Sequence, residues 1–278
     1  MAPVHRFRGM EVSAQHRLLD ELGRLCRDEP LSAHCYATYY LVHEPRSTEV
    51  LLLSSRGDVE SYALVWRGGR FSIQDIYEIH MWNPSREVLA QIRLIPDKRC
   101  DIQLYGDPSI DVEEIIDHFR RLGFKRFSIE EFYDMVCSRS SFTPSPLENL
   151  AVVLGEEHAA LYRDLELERG IEITLDEARE ILRTYRHYGV ITEGTLASIA
   201  ARYATLPWIH VVGGVFTRRR YRRRGFAKAV VSAITREAVD TGAVAGLHVE
   251  VGNEPAVELY RSLGYRILRT RTWIFAHP

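Results

Sequence analysis

VVGGVFTRRRYRRRGFAKAVV, residues 211–231, is the stretch from which the fold of this chain can be worked out. Its first part, Val211–Thr217, is apolar and rich in β-branched residues, which predicts a buried strand. Six arginines then occupy seven positions from Arg218 to Arg224, and Gly225 ends the loop. An amphipathic helix is predicted from Phe226 to the glycine at position 242. Because the amides and the dipole of a helix N-terminus favour negative charge, the stretch predicts an anion-binding site.

The spacing of small residues narrows the choice of anion. Arg222, Gly225 and Ala227 form the pattern Arg-x-x-Gly-x-Ala, which leaves room where a ligand comes close to the backbone. The sequence contains neither a GxxxxGKS/T phosphate loop nor a GxGxxG dinucleotide fingerprint. The pattern resembles the acyl-CoA pyrophosphate loop of the GNAT superfamily of N-acyltransferases, Gln/Arg-x-x-Gly-x-Gly/Ala.

A second segment lies where this resemblance requires it. A strand is predicted at Leu247–Val251, and the segment NEPAVELYRSLGY follows from Asn253 to Tyr265. It is similar to the later CoA-binding segment of the superfamily, Asn-x-x-Ala-x-x-Leu-Tyr-x-x-x-Gly-Phe/Tyr. The resemblance runs from about Leu147 to the C-terminus, roughly half of the chain, and it implies an acyl-CoA as the donor substrate.

The order of predicted elements repeats along the chain. Two helices, three strands, a helix, a strand, a helix and a strand follow one another in each half. The expected fold class is α/β with a mixed sheet, in two tandem GNAT-like domains. The expected limits are residues 1–137 for the first domain, 138–146 for a Ser/Pro-rich linker and 147–278 for the second.

The first half has three predicted strands but no arginine loop. The strands are Glu49–Ser54, Glu60–Trp66 and Phe71–Met81, joined by turns at 56–58 and 67–70. The residues after the third strand, 82–88, contain no glycine and one arginine. We therefore expect this degenerate domain not to bind CoA. A degenerate half before an intact one is similar to the arrangement of glycine N-acyltransferases and their bacterial relatives.

Composition places the chain among globular proteins. Of 278 residues, 46% are hydrophobic and 27% charged, and the net charge of -2 argues against a general nucleic-acid binder. The sequence has no apolar run of membrane-spanning length and no signal-peptide core at its N-terminus, so we expect a cytoplasmic protein. The cysteines lack CxxC spacing, and we expect reduced buried thiols and no metal site. They are Cys26, Cys35, Cys100 and Cys137.

The resemblance assigns cofactor-binding residues at three places. Main-chain groups at the strand end would flank the thioester and pantetheine, which requires this strand to separate from Leu247–Val251. Amides of the loop and first helical turn would hold the pyrophosphate, and arginine side chains would add paired contacts. Gly213-Gly214 suits either a bulge near the ligand or a packing feature. The assigned residues are Val215, Phe216, Thr217, Arg222, Arg223, Arg224, Gly225, Phe226, Ala227, Lys228, Asn253 and Ala256.

Proton transfer needs an acid and a base. Tyr260 occupies the position of the superfamily's tyrosine acid, although a tyrosine packed under the cofactor fits the same position. Asn253 would bind pantetheine or cap its helix. The base stays unassigned among four candidates, which are His210, Glu193, Glu250 and ordered water. His210 is also typical of a buried core histidine, and Glu193 is also typical of a solvated carboxylate in a turn.

Three functions are compatible with these residues. One is acyl transfer, most simply acetyl transfer, to the primary amine of a small molecule or amino acid. Another is acetylation of a protein lysine or N-terminus, with a peptide acceptor. The third is a CoA-binding or RNA-associated module without turnover. A row of basic residues expected on one helix could recognise an acceptor carboxylate, although a solvated face explains it better. The row is Arg179, Arg183, Arg186 and His187.

Overall fold

The fold is described from a computed structural model of the chain, which covers residues 4–55, 58–68 and 76–278. The strands are β1 (Val4–Arg6), β2 (Thr48–Ser55), β3 (Asp58–Trp66), β4 (Tyr77–Trp82), β5 (Cys100–Tyr105), β6 (Arg126–Cys137), β7 (Ala151–Leu154), β8 (Arg186–Thr192), β9 (Thr195–Leu206), β10 (Ile209–Thr217), β11 (Val244–Glu250) and β12 (Arg266–His277). The α-helices are α1 (Val12–Asp28), α2 (Ala33–His43), α3 (Arg86–Leu89), α4 (Val112–Arg121), α5 (Ala159–Glu168), α6 (Leu175–Thr184), α7 (Phe226–Asp240) and α8 (Glu254–Ser262).

The chain forms two compact units, and neither boundary is a loop. The first unit is Met1–Phe132 together with Thr270–Pro278, and the second is Tyr133–Arg269. The chain therefore enters the second unit inside β6 and leaves it inside β12. The Ser/Pro-rich segment 138–146 lies within the second unit, and the last strand of the chain contributes most of its residues to the first.

The first unit is a mixed sheet with a helical layer and a hydrophobic core on each face. Its strand order is β1-β2-β3-β4-β5-β12-β6. Along β2, Val50 and Leu52 join the core under α1 and α2, whereas Leu51 and Leu53 join the core under α3 and α4. Because side chains alternate across a strand, a continuous apolar run such as VLLL is what a strand covered on both faces requires.

The parallel strands β4 and β5 lie side by side along their whole length. Six consecutive pairs join them, from Tyr77↔Cys100 to Trp82↔Tyr105. No gap opens between these two strands within the described residues. Of the predicted third strand, Phe71–Met81, residues 71–75 lie outside the described residues, as do the predicted turn positions 56–57 and 69–70.

One expectation about the cysteines is wrong. Cys26, near the end of α1, and Cys35, in the first turn of α2, form a disulfide with an S–S distance of 2.01 Å. The loop between the two helices turns the chain back, so that the Cα atoms lie 4.8 Å apart despite a separation of nine residues. A search for CxxC spacing does not find such a pair. Cys100 and Cys137 are buried free thiols, as expected.

The second unit is also a mixed sheet, with the order β6-β11-β10-β9-β8-β7. Ala245, Leu247 and Val249 of β11 pack into one core with Val230 of α7 and Tyr260 of α8. On the opposite face, Tyr162 of α5 contacts His187 of β8 edge-on, with ring centroids 5.1 Å apart. Helices α7 and α8 therefore cover one face of this sheet, and α5 covers the other.

The predicted row of basic residues on one helix is also wrong. Helix α6 begins with a capping box, in which Thr174 and Glu177 bond to each other's main chain, but it ends at Thr184. Tyr185 is already extended, with φ −112° and ψ 137°. Arg186 and His187 therefore lie on β8, because the aromatic and β-branched residues that follow favour a strand.

Candidate functional site

The candidate site lies where β10 and β11 separate. The two strands pair in parallel at three positions only, from Ile209↔Val244 to Val211↔Gly246. Beyond these pairs β10 continues to Thr217 and β11 to Glu250, with no further pairing between them in the described chain. One edge of β10 therefore faces a gap, and a ligand with its own amide groups can pair with such an edge. The separation expected from the sequence is present.

A bulge in β10 accompanies this separation. Gly213 pairs with Ala201 and Phe216 with Ile199, so two residues of β10 oppose one of β9. Gly214 has φ +58°, and a Cβ atom there would lie 2.3 Å from the hydroxyl oxygen of Tyr203. The position requires glycine for its backbone angle and for the space that Tyr203 occupies.

Hydrogen bonds from neighbouring residues fix the end of β10. The Ser198 hydroxyl donates to the carbonyl oxygen of Phe216 at 3.0 Å and lies 2.7 Å from the Thr217 hydroxyl. Arg222 Nε donates to the carbonyl oxygen of Thr217 at 3.2 Å. Val215, Phe216 and Thr217 are half-buried, so the main chain at this point is held firmly while part of it stays accessible.

The arginine loop presents a row of amides at the N-terminus of α7. A single 3-10 turn, Arg219–Tyr221, leads into Arg223 with φ +63° and Gly225 with φ +78°. Within the described chain, the backbone N–H groups from Arg223 to Lys228 make no hydrogen bond, and no side chain caps the helix. Phosphate oxygens satisfy such amides well, because the helix dipole adds to the attraction.

The arginines of the loop differ in burial and in partners. Arg218 is 7% exposed; it donates to the carbonyl oxygen of Leu196 at 2.8 Å and pairs with Glu168 at 2.6 Å and Asp164 at 3.0 Å, both on α5. Its task is to join α5 to the end of β10. Five arginines are exposed and supply the positive charge beside the amides. They are Arg219, Arg220, Arg222, Arg223 and Arg224.

Helix α8 places Tyr260 in the core shared with α7 and β11. Tyr260 is 7% exposed, and burial raises its pKa to about 12. The phenol therefore keeps its proton at physiological pH, as a general acid must. Asn253 caps the helix, since its side-chain oxygen accepts from the Ala256 amide at 3.3 Å. Capping uses only the oxygen of Asn253, so its amide nitrogen can still donate to a ligand.

His210 lies near the start of β10, at a distance along the chain from the bulge. It is 4% exposed, and its Nδ1 accepts from Arg202 at 3.3 Å. Arg202 in turn pairs with Glu237 of α7, so His210 lies on the α7 face of the sheet. Burial, and then the charge of Arg202, lower the pKa of His210 to about 4.

Glu193 lies at the other end of the site. It occupies the exposed tip of the β8–β9 hairpin with φ +53°, and its carboxylate accepts from the Tyr221 hydroxyl at 3.4 Å. Tyr221 belongs to the arginine loop, so Glu193 stands beside the predicted phosphate end. Glu250 is exposed at the end of β11.

One pair of polar residues at the gap was missed by the sequence analysis. His248 of β11 and Asp134 of β6 are 2.6 Å apart, measured from Nδ1 to Oδ1, and Asp134 is fully buried. The signal available in the sequence was a histidine inside the apolar strand Leu247–Val251. Its partner lies 114 residues earlier, which no local pattern connects to it.

An acyl-CoA fits the residues described. The amides Arg223–Lys228 can donate to phosphate oxygens, the β10 edge can pair with amide groups, and the exposed arginines of the loop add positive charge. Among the described residues, no group of three or more His, Cys, Asp or Glu side chains could hold a metal ion. Within the same ranges, no helix combines the length and apolar character that crossing a membrane requires.

Comparison with known proteins gives one family match and several solved structures of similar fold. A family model described as FR47-like protein matches residues 187–274, which contain β9–β11, all but the first residue of β8, the arginine loop and Tyr260. A search of curated proteins gives no significant match.

Several solved structures share the fold along nearly the whole chain. A Drosophila protein is 15% identical with a TM-score of 0.65, covering 100% of this chain and 99% of its own. A GCN5-related N-acetyltransferase-like protein from Streptococcus suis is 14% identical with a TM-score of 0.59, covering 94% and 99%. A tandem GNAT protein from the clavulanic acid biosynthesis pathway is 14% identical with a TM-score of 0.58, covering 99% and 97%. At these identities the likeness shows the fold alone. Residues 187–274 thus match the FR47-like family, and the chain as a whole has the mixed α/β fold of a tandem GNAT protein.

Proposed function

We propose that the chain is an acyl-CoA-dependent N-acyltransferase that transfers an acetyl or other short acyl group to the primary amine of a small molecule or amino acid. The observation that carries the proposal is that two sets of main-chain groups without hydrogen-bond partners in the described chain follow one another. The open edge of β10 leads directly into the row of amides from Arg223 to Lys228. A pantetheine arm with a pyrophosphate at its end matches both features in order.

The roles of the binding residues follow from their chemistry. Main-chain groups of Val215, Phe216 and Thr217 hydrogen-bond the pantetheine amides along the open edge of the strand. The amides of Gly225, Phe226, Ala227 and Lys228, together with those of Arg223 and Arg224, hold the pyrophosphate. The side chains of Arg222, Arg223 and Arg224 add charge-assisted contacts. Asn253 and Ala256 lie at the start of α8 and line the opposite side of the arm.

A bound acyl-CoA supplies an activated thioester, so no covalent enzyme intermediate is needed. The chain must hold the thioester beside the acceptor amine, and a main-chain amide near the bulge can stabilise the oxyanion that forms during attack. Tyr260 donates its proton to the leaving sulfur. Its pKa of about 12 keeps the donor protonated throughout the physiological range.

The test begins with ligand binding by the full chain. Acetyl-CoA, free CoA, longer acyl-CoAs and ATP are titrated while the melting temperature is followed, because a ligand that binds only the folded state raises it. We expect stabilisation by CoA species and none by ATP. The acyl-CoA that stabilises most is then offered with a panel of amines, amino acids and lysine peptides, and thiol release is measured.

Two glycines at opposite ends of α7 provide a matched pair of variants. Gly225→Glu puts a carboxylate where phosphate is proposed to bind, whereas Gly242→Glu puts one at the far end of the same helix. Both glycines have positive φ, +78° and +88°, so the backbone cost is shared. We expect CoA binding to be lost in the first variant only. Equal CoA affinity in both variants, or no response of the wild type to any CoA species, would contradict the proposal. RNA binding by the arginine loop would then be tested next.

A further inference from the structure

Asp134 and His248 form a carboxylate–imidazole pair on the central strands of the second unit. The carboxylate of Asp134 is fully buried, and Arg269 Nε lies 3.6 Å from its second oxygen. An ionised carboxylate can only accept hydrogen bonds. His248 Nδ1 must therefore donate across the 2.6 Å contact. Nε2 is then the nitrogen that carries the lone pair in the neutral ring.

His248 lies on the strand that borders the gap. It is two residues past Gly246, the last residue of β11 that pairs with β10. Leu247 and Val249 on either side belong to the core under α7 and α8. Because successive side chains alternate across a strand, His248 points to the opposite face of the sheet, the face on which α5 packs against β8 and β9. Its side chain is 11% exposed, so the ring is held but not sealed from solvent.

The other histidine considered at this site faces the wrong way. Val212 belongs to the core under α7, so His210, two residues earlier on β10, lies on the α7 face. His248 lies on the opposite face, and the two residues differ in their partners as well. His210 accepts from a guanidinium, which opposes protonation, whereas His248 donates to a buried carboxylate, which orients the ring.

We propose that His248 is the general base of the acyl transfer and that Asp134 is its positioning residue. The proposal rests on the N-acyltransferase function argued above. It also places the two proton transfers on opposite faces of the sheet. The acceptor amine arrives on the face covered by α5, where His248 takes its proton. The thiol leaves on the face covered by α8, where Tyr260 supplies one.

The protons and bonds balance without a further reactant. The neutral amine forms an N–C bond to the thioester carbonyl carbon, and His248 Nε2 takes one proton from the attacking nitrogen. The C–S bond breaks with its electron pair on sulfur, and the Tyr260 hydroxyl protonates that sulfur. The imidazolium and the tyrosinate then return to their neutral forms by exchange of one proton through solvent. The net change is amine and acyl thioester to amide and free thiol.

The first test compares His248→Gln with His210→Gln in the full chain. General-base catalysis contributes on the order of 100-fold or more, so we expect kcat to fall by at least that factor in His248→Gln. The affinity for CoA, measured by calorimetry, should stay unchanged in both variants. His210→Gln should keep kcat within about threefold of the wild type, since removing a residue that does not touch the reacting atoms changes the barrier little. Full activity of His248→Gln would overturn the proposal.

The second test needs neither donor nor turnover. The chain is labelled with 15N-histidine, and the long-range 1H–15N spectrum reports which ring nitrogen carries the proton at pH 8; His248→Gln assigns the signal. We expect the neutral ring of His248 to be protonated at Nδ1. In Asp134→Asn the carboxylate is gone, and we expect the fraction with a proton on Nδ1 to fall. A wild-type ring protonated mainly at Nε2 would overturn the role given to Asp134.

The two proposals fail in different ways. If the wild type releases no thiol with any pair of acyl-CoA and amine, the acyltransferase function is wrong and the base assignment falls with it. If the wild type is active and His248→Gln equals it, the function stands and the base is another group. If Asp134→Asn does not fold, the spectrum of the wild type alone still decides the tautomer.

Discussion

Arg218 and Arg223 lie in the same loop but have different roles, because their surroundings differ. Arg218 is buried and joins β10 to two carboxylates of α5, while Arg223 is exposed beside the amides of α7. The first therefore acts on the stability of the fold, and the second on the affinity for an anion.

Arg218→Ala and Arg223→Ala should accordingly give contrasting results. Loss of Arg218 removes its hydrogen bonds to the Leu196 carbonyl and to Glu168, and we expect the free energy of unfolding to fall by about 2 kcal/mol. Loss of Arg223 should change the free energy of unfolding by less than about 0.5 kcal/mol but weaken CoA binding roughly tenfold, because a charge-assisted contact to phosphate is lost. Urea unfolding and calorimetric titration measure the two quantities. Similar profiles for both variants would contradict this division of tasks.

The sequence could not separate these arginines in advance. Six of them occupy seven positions, so composition gives each the same environment. The carboxylates that bury Arg218 are Asp164 and Glu168, 54 and 50 residues earlier in the chain. The same reason explains why His248 was overlooked as a candidate base. Its significance depends on Asp134, which reaches it only through the pairing of two distant strands.

At the scale of elements, the bulge in β10 ties the shape of the site to a single glycine. Gly214→Ala must place a Cβ atom 2.3 Å from the Tyr203 hydroxyl at a φ of +58°. Gly242→Ala has a similar backbone angle but no atom within 4 Å of the new Cβ atom. The second variant should lose about 1 kcal/mol of stability, and the first about 2–3 kcal/mol with weaker CoA binding. Equal losses of stability in the two variants would show that the Tyr203 side chain moves away from the new Cβ atom at no cost in free energy.

Strand β8 introduces a pH dependence of stability. His187 is 1% exposed, and burial lowers its pKa to about 4 from an ordinary value near 6.5. The unfolded chain therefore binds more protons than the folded chain between these values, so stability is complete above about pH 6.5 and is lost as the pH falls toward 4.

The loss attributable to His187 is about 2 kcal/mol between pH 7.5 and pH 5. His187→Gln removes the titrating group, so its free energy of unfolding should fall less across this interval than that of the wild type. The exposed His16→Gln should keep the wild-type slope. Urea unfolding of the three proteins at both pH values measures the effect. An unchanged slope in His187→Gln would mean that the buried imidazole does not titrate in this range.

Sequence patterns located most elements and misplaced those whose ends depend on distant contacts. The capping box fixed the start of α6 at Thr174, because both partners are local. The end of α6 was placed three residues too far, since Tyr185 becomes extended where β8 pairs with β9. Strand β6 extends to Cys137 and includes the segment EEFYD. The charged residues of this segment obscure the apolar pattern by which a strand is recognised, because only the last residues of β6 are buried. Strand β1 has three residues, too few for any periodicity.

At the scale of the whole molecule, the two units differ in the gap between parallel strands where we propose that the pantetheine arm binds. Strands β4 and β5 pair at six consecutive positions, whereas β10 and β11 pair at three and then separate. We therefore expect calorimetry to give one CoA per chain, and none for Gly225→Glu. A stoichiometry of two, or binding retained in that variant, would mean that the first unit also binds CoA.

The tandem architecture was predictable because the same order of helices and strands occurs in both halves of the chain. Such an order can be recognised even where the two halves share no sequence similarity. The exchange of strands between units was not predictable in this way. Nothing in the composition of Arg266–His277 marks the point at Thr270 where one strand passes from the second unit to the first.

This exchange of the last strand sets the order in which the chain can mature on the ribosome. The second unit is contiguous, so it is complete once residue 269 has been translated. The first unit, although synthesised earlier, still lacks residues 270–278 at that moment. Folding from the N-terminus onward is the usual course during synthesis, whereas here the unit that begins later in the chain is the first to have all of its residues. The residues of the first unit therefore depend on residues 270–278, and a chain that stopped at residue 269 would hold a complete second unit attached to an incomplete first unit.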